Sequence, residues 1–514
     1  MKLNSKESIF RNDLIFTADA KSVNIENILL NLFMLLKSNG LRPKMLLNAD
    51  EKNQEDNIDL ILKYFSVLEG QGQVSGFLDY KDAALAWVRC NLVNMVNRGK
   101  SGEKVSSLRP IHLESYKIRN AKHARDYNTA DQVYLILNSS PIVKQELTNF
   151  LSEGWDKTTG QIGNVSGLDI DSYGILTLIK NRRTKEIPQS PTSISFIKPL
   201  LEDQANLFCE DVRRILLYKN VIPRAVLLDY LKTITSFHLS LYLQKLVNLL
   251  PKMVKAGTKD IQQDWSIVLD LTDNLDSEIS RIAIEDTDKV INGFRDYLKA
   301  TFQVNTALAK LNLQRDNSKN LELALKYLKE NSSDLEAYCQ AQWNNLQLEE
   351  DEEEMVRSFS QYESSFFGKW IELIMQQKGG LQYKRHIELF DRLSFKNNER
   401  GLLAQGRSRK HPRRFVLGTK LLETLTQISL LDDSGDAIIS RSLSIEELIE
   451  FLRNRYGLII NGLNEKRFDS ADIKIIQAFR DNMEAFKRKL RQIGFYNDLS
   501  DAFILQKIRP RYKV

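Results

Sequence analysis

Apolar residues recur every three or four positions along most of this chain, the spacing that places them on one face of a helix. Ile25–Leu36 is the first such run, and a second lies around Leu60 to Leu68. Gly70, Gly72 and Gly76 then break the pattern before an amphipathic, helix-like stretch at Ala83–Val96. Residues 154–199 read differently: Gly154, Gly160, Gly163, Gly167 and Gly174 precede Pro188, Pro191 and Pro199, which predicts a loop-rich connector with a boundary near 190–200. The most helical stretch comes next. Leu207, Val212, Ile215 and Leu216 keep helical spacing, Pro223 opens a helix where a missing N–H costs least, and Pro251 follows that helix's end. Leu271, Leu275, Ile279 and Ile282, then Phe294, Leu298 and Phe302, carry the period onward without a fixed repeat, so a solenoid is not indicated.

After Gly401 short strands enter the pattern. A helix over about 417–431 precedes a β-like segment at Ile438–Leu443; Ser444-Ile-Glu-Glu447 then forms a capping box for a second helix that Gly457 closes. Leu458–Ile460 reads as another short strand. The long helix from about Ser470 to Ile493 carries Ile473, Ile476, Phe479, Met483, Phe486, Leu490 and Ile493 on one stripe. This order is similar to a winged helix, in which a later helix can enter the major groove. The expected fold is therefore mainly α: a multi-domain helical protein with a small C-terminal α/β winged-helix-like module. The expected segments are an N-terminal helical domain (1–135), a loop-rich connector (136–199), a central helical domain (200–400) and a basic C-terminal module (401–514).

Composition supports that picture. A chain of 514 residues can bury more than one core, and only 10 Pro and 23 Gly leave long helices uninterrupted. Cys90, Cys209 and Cys339 are odd in number and far apart, which argues against a disulfide framework and for a reducing compartment. Neither the opening residues nor any later run has the apolar length of a signal core or a membrane span, so a cytoplasmic protein with no membrane contact is expected.

The net charge of +6 is unevenly placed: residues 401–514 hold 21 Lys and Arg against 14 Asp and Glu, leaving 52 against 53 elsewhere. Arg407, Arg409, Lys410, Arg413 and Arg414 crowd beside Gly406, Ser408 and Pro412 and read as an extended or mobile basic strip able to neutralise phosphates without reading sequence. Lys487, Arg488 and Arg491 fall in the last turns of the long helix, where the macrodipole also favours cations, so capping competes there with groove contact. Arg509-Pro-Arg-Tyr-Lys513 adds further charge. Around Gly99–Pro110, the nine Lys and Arg between Arg89 and Arg125 read more simply as a solvated linker than as a nucleic-acid surface. The acidic run Glu349–Glu354 reads as a solvated surface rather than a docking patch.

Catalytic patterns fail on chemistry. Gly99-Lys100-Ser101 ends like a P-loop, but Asn94 stands where the first glycine is needed. Gly70, Gly72 and Gly76 have the wrong spacing for a dinucleotide fingerprint. His112, His123, His238, His386 and His411 show no metal-ligand spacing; His238 reads as a satisfied core histidine, and neither cofactor nor metal is implied. Asp169 and Asp171 are the best carboxylate pair, since strand alternation would point both to one side near Lys180, as metal-assisted nuclease chemistry needs; a turn with solvated acids is the simpler reading.

The stretches Arg413-Arg-Phe-Val-Leu-Gly418, Leu421–Leu425 and Phe451–Gly457 resemble large helical subunits of prokaryotic multi-gene anti-phage defence systems. Ile222-Pro-Arg224, Phe237-His-Leu239 and Leu249-Leu-Pro251 share the likeness. The resemblance implies an accessory role beside separate enzymatic subunits, in a multi-subunit complex. The leading expectation is thus a non-catalytic, DNA-associated accessory subunit. A helical scaffold that never touches nucleic acid and a divergent metal-dependent nuclease are the alternatives.

Overall fold

The structure, a computed structural model, describes residues 8–47, 65–72, 74–180, 184–187, 197–346, 362–408, 410–432, 438–496 and 507–514. The acidic run at 349–354 and Arg409 lie outside them. Helix accounts for 58% and strand for 8%, so the protein is mainly α, as the three-to-four-residue period implies. The chain divides into a small unit, Val23–Ser195 with Ile222–Lys232, and a large unit, Met1–Ser22, Phe196–Val221 and Thr233–Val514.

In the small unit, helices α1 (Ile25–Lys37), α2 (Lys81–Trp87), α3 (Thr129–Asn138), α4 (Pro141–Leu151) and α5 (Ile170–Lys180) accompany three antiparallel strand pairs. These are β1 (Lys44–Leu47) with β6 (Thr184–Ile187), β2 (Val93–Val96) with β3 (Lys104–Leu108), and β4 (Trp155–Asp156) with β5 (Gln161–Ile162). Asn24 starts α1 by accepting the Glu26 N–H at 3.0 Å. The helix expected over Ala83–Val96 stops at Trp87, and the chain passes through one π turn into β2, whose pairing with β3 satisfies the backbone instead. Gly99, Lys100 and Ser101 form the hairpin turn between those strands, with the Lys100 N–H donating to the Asn97 carbonyl at 2.9 Å.

The expected connector also holds more structure than its glycines suggest. Ile175, Leu176 and Ile179 of α5 are buried with Phe65, Leu92 and Val105 in the unit's core. Gly174 belongs to this packing rather than to a loop: a Cβ there would lie 3.0 Å from Leu92 and from Trp87. Arg42 spans Asp126 and Asp131, two nearly buried carboxylates at the start of α3, which raise its pKa.

The large unit contains α6 (Glu202–Leu216), α7 (Arg224–Ala256, from Thr233 onward), α8 (Glu278–Lys310), α9 (Ser318–Glu330), α10 (Ser332–Asn344), α11 (Phe366–Ile374) and α12 (Gly380–Leu393). Beyond these lie α13 (Thr419–Ser429), α14 (Ile445–Tyr456) and α15 (Ile473–Gln492). Pro251 does not follow the end of α7 but lies inside it, and the helix continues to Ala256. Packing on the surrounding helix, which buries Leu246, Leu249, Leu250 and Met253, carries it past the missing N–H.

His238 is fully enclosed, with Nε2 2.9 Å from Asp211 and Nδ1 2.8 Å from the Gln204 amide, so it is a satisfied core histidine. Asp211 also accepts from Tyr456 at 2.7 Å and from Arg455 at 2.6 Å. Those donors hold its carboxyl below the usual range against the opposing effect of burial.

The C-terminal segment does not stand apart. Its strand β12 (Leu458–Ile459) pairs in parallel with β7 (Ile267–Val268), nearly two hundred residues earlier. Among the described residues, β10 (Leu431–Asp432) and β11 (Ile439–Ser440) pair antiparallel within the segment's central part, just after α13. Asn482 of α15 fixes the helix over the parallel pair: its amide donates to the Leu269 and Ile460 carbonyls at 2.9 Å each, and its carbonyl accepts the Leu271 N–H at 2.8 Å. Phe479, Phe486 and Leu490 bury the inner face of α15. Ile473 and Ile476, expected on the same stripe, remain 84% and 48% exposed because the first turn runs past the core.

Candidate nucleic-acid interface

The expected basic strip is a β-hairpin. Strands β8 (Leu403–Gln405) and β9 (Arg413–Phe415) pair antiparallel, and Arg407 and Lys410 lie exposed in the loop between them. The last two cations turn inward. Arg413 makes a bidentate pair with Asp391 at 2.8 and 3.0 Å, and Arg414 reaches the fully buried Asp270 at 2.8 Å. They hold the hairpin onto the helical body and have little capacity left for phosphate. Sequence spacing put five cations together; the buried Asp270 and the half-buried Asp391 divide the four described ones into two roles.

On α15 the inner face is apolar, so helical geometry turns Arg480, Glu484, Lys487, Arg488 and Arg491 outward. Lys487 pairs with Glu484 at 2.8 Å, Arg488 is exposed, and the Arg491 guanidinium lies 5.5 Å from the Tyr496 ring.

The tail completes the surface. Ile508 is buried and forms a two-bond bridge with Leu443 at 2.8 and 3.0 Å, and the Arg509 N–H donates to the Phe495 carbonyl. Beside the buried Ile508, Lys507, Arg509, Arg511 and Lys513 are all exposed, and the chain bends at Arg511 and Tyr512. Arg511 stacks 4.5 Å above Phe495 while donating to Glu423 at 3.0 Å, and Phe495 follows the end of α15. The tail cations and the outer C-terminal face of α15 therefore adjoin. This juxtaposition was foreshadowed in the sequence only by the tail's charge; the buried Ile508 is what anchors the tail there.

Asp169 and Asp171 occupy a helix start and not a strand. The Asp169 carboxylate accepts the Ser172 N–H at 2.6 Å, while Asp171 lies in the first turn of α5 and accepts the Trp87 indole N–H at 2.6 Å. The end of α5 carries Lys180 away from them by roughly 13–16 Å of helix. Both carboxylates line a cavity of about 190 Å³ together with Arg109 and Lys232. Burial lowers the Arg109 pKa, and Glu26 pairs with Lys232. Cations thus face these acids. Among the described residues no group of three or more His, Cys, Asp or Glu is placed to hold a metal ion.

Fold and surface together define a mainly helical, two-unit protein with a cationic edge built from a terminal helix and its tail. The family model described as methylation-associated defense system protein MAD7 matches residues 5–512, and the chain belongs to that family. It is a component of an anti-phage defence system, in agreement with the resemblance carried by the segments around Arg413, Leu421 and Phe451. No curated protein and no solved structure matches the chain. Among the described residues no helix is long and apolar enough to cross a membrane.

Proposed function

We propose that the protein is a non-catalytic, DNA-associated accessory subunit of its defence system, working in the cytoplasm within a multi-subunit complex. It holds the phosphate backbone on the edge formed by the outer face of α15 and the tail beyond it. The observation that carries this reading is the run of exposed tail cations Lys507, Arg509 and Lys513 beside Arg488 and Arg491, with Arg511 already held by Glu423. Such cations neutralise phosphates and release counterions without contacting base edges, so binding should be indifferent to sequence and steeply dependent on salt. The hairpin tip, with Arg407 and Lys410, supplies a second phosphate contact.

The test is the salt dependence of duplex binding, measured by fluorescence anisotropy from 50 to 300 mM salt. Substituting Arg488, Arg491, Arg509 and Lys513 by Gln should reduce the slope of log K against log salt by about 0.9 for each phosphate no longer neutralised. Arg407→Gln with Lys410→Gln forms a separate arm, and Arg413 and Arg414 are left intact because their partners are internal. An unchanged slope in both arms, with partner subunits still co-purifying, would favour the scaffold that never touches nucleic acid.

A further inference from the structure

The small unit carries a cationic projection of its own, at the Gly99-Lys100-Ser101 turn between β2 and β3. From Ala83 to Leu113 the chain holds five cations, Arg89, Arg98, Lys100, Lys104 and Arg109, against one acid, Glu103. Glu103 is itself matched by Arg89 at 3.4 Å. The hairpin is rooted in the unit's core, where Val93, Val105 and Leu108 are buried. Asn94 ties its strands together: the side-chain amide donates to the Ser107 hydroxyl at 3.2 Å, and the carbonyl accepts the Ser106 hydroxyl at 3.0 Å.

The tip is shaped by its own bonds. The Asn97 side chain donates to the Gly102 carbonyl at 3.3 Å, the Asn97 carbonyl accepts the Lys100 N–H at 2.9 Å, and the Lys100 carbonyl accepts the Glu103 N–H at 3.1 Å. Gly99 and Gly102 take φ of +70° and +83°, and no atom lies within 4 Å of where either Cβ would stand, so the turn projects into open space. Every residue from Asn97 to Gly102 is exposed, and none carries an apolar side chain. The Arg98 guanidinium is steadied by one bond, to the Arg89 carbonyl at 3.0 Å, while among the described residues the Lys100 ammonium has no partner. Beside β3, the Asn120 N–H donates to the Ser106 carbonyl at 2.7 Å on an antiparallel segment, and exposed Lys122 follows two residues on, toward the end of the sheet where Lys104 stands.

We propose that this hairpin tip is a second contact for the phosphate backbone of duplex DNA, made by the small unit in its own right. A protein partner would need an apolar centre to bury, and the tip has none. A phosphodiester needs cations and backbone N–H donors. Both are present: Arg98 and Lys100 supply the charge, and the N–H groups of Gly99, Ser101 and Gly102 donate to nothing in the protein. At the two glycines no side chain keeps a phosphate at a distance. Because the turn is already formed without a ligand, little ordering entropy opposes the contact. None of the residues of the α15 edge takes part, so either surface can fail without the other.

Duplex binding by the full chain, followed by fluorescence anisotropy over the same salt range, tests it. Arg98→Gln with Lys100→Gln should lower the slope of log K against log salt by about 0.9 for each phosphate released. Combined with the α15 and tail substitutions, the two decreases should add. Lys219→Gln with Lys319→Gln, which removes the same charge from exposed positions of the large unit, should leave the slope unchanged. A slope untouched by the hairpin pair but lowered by the α15 and tail substitutions would overturn this inference and leave that edge standing; a slope lowered by the hairpin pair alone would do the reverse. An equal decrease from the Lys219 and Lys319 pair, or no duplex binding by the unmodified chain, would also overturn it. Should the double variant lose its far-UV circular dichroism, Lys100→Gln alone decides, since that side chain has no partner to lose.

Discussion

His112 lies wholly inside the small unit, where Nδ1 accepts the Glu114 N–H at 3.1 Å and Nε2 lies 3.0 Å from the Glu153 carbonyl. That pattern fixes the neutral tautomer with the proton on Nε2, and burial pushes the pKa down to about 4. His386 reaches the same value by burial among Phe10, Phe294 and Tyr297, its Nδ1 donating to the Gln382 carbonyl. Because both folded pKa values lie below the ordinary value near 6.5, the unfolded chain takes up protons first as pH falls. Their contribution to stability is complete above pH 6.5 and is lost progressively down to about pH 4. Thermal melts should therefore show Tm level from pH 8 to 7 and falling below pH 6.5; a level Tm down to pH 5 would contradict the assignment. The sequence marked His238 as a core residue because apolar neighbours flank it at helical spacing. It carried no sign of His112, whose Nε2 finds its partner in the Glu153 carbonyl, far along the chain.

At the scale of elements, α14 was readable at both ends because its signals are local. Ser444 accepts the Glu447 N–H at 3.0 Å, the Glu447 carboxylate accepts the Ser444 N–H at 2.7 Å, and Gly457 takes φ +73° at the C-terminus. The pairing of the chain just beyond Gly457 was not readable, since two-residue strands carry no periodicity and the partner of β12 lies far away in sequence. Gly457 serves both purposes: it ends the helix and lets β7 approach, with the Trp265 carbonyl 2.5 Å from where a Cβ would stand. Gly457→Ala should cost about 1–3 kcal/mol from the left-handed backbone alone, with further loss from that clash. Urea denaturation would measure it. A variant as stable as the unmodified protein would mean that β7 and Gly457 are not held as described.

At the scale of the molecule, the small unit is assembled from two separate stretches of chain. Arg224, in the second stretch, donates to the Phe150 carbonyl at 2.8 Å and to Ser172 at 3.2 Å, pairs with Glu153 at 3.0 Å and stacks 4.4 Å from the Phe150 ring. A fragment of residues 23–195 lacks those donors and leaves buried acceptors unpaired. It should melt non-cooperatively by circular dichroism, and a sharp two-state melt would show that Arg224 is dispensable to the unit. By itself the sequence determined the helical character, the capped ends of α14, the cationic C-terminus and the likeness to a defence-system subunit, because each depends on residues close together in the chain. Only the tertiary structure decided that Arg413 and Arg414 turn inward, that Asp169 and Asp171 begin a helix among cations, and that the tail is anchored by Ile508 beside the end of α15. Those outcomes depend on which distant carboxylate, carbonyl or apolar surface each residue meets, and burial sets that through contacts between segments far apart in the chain.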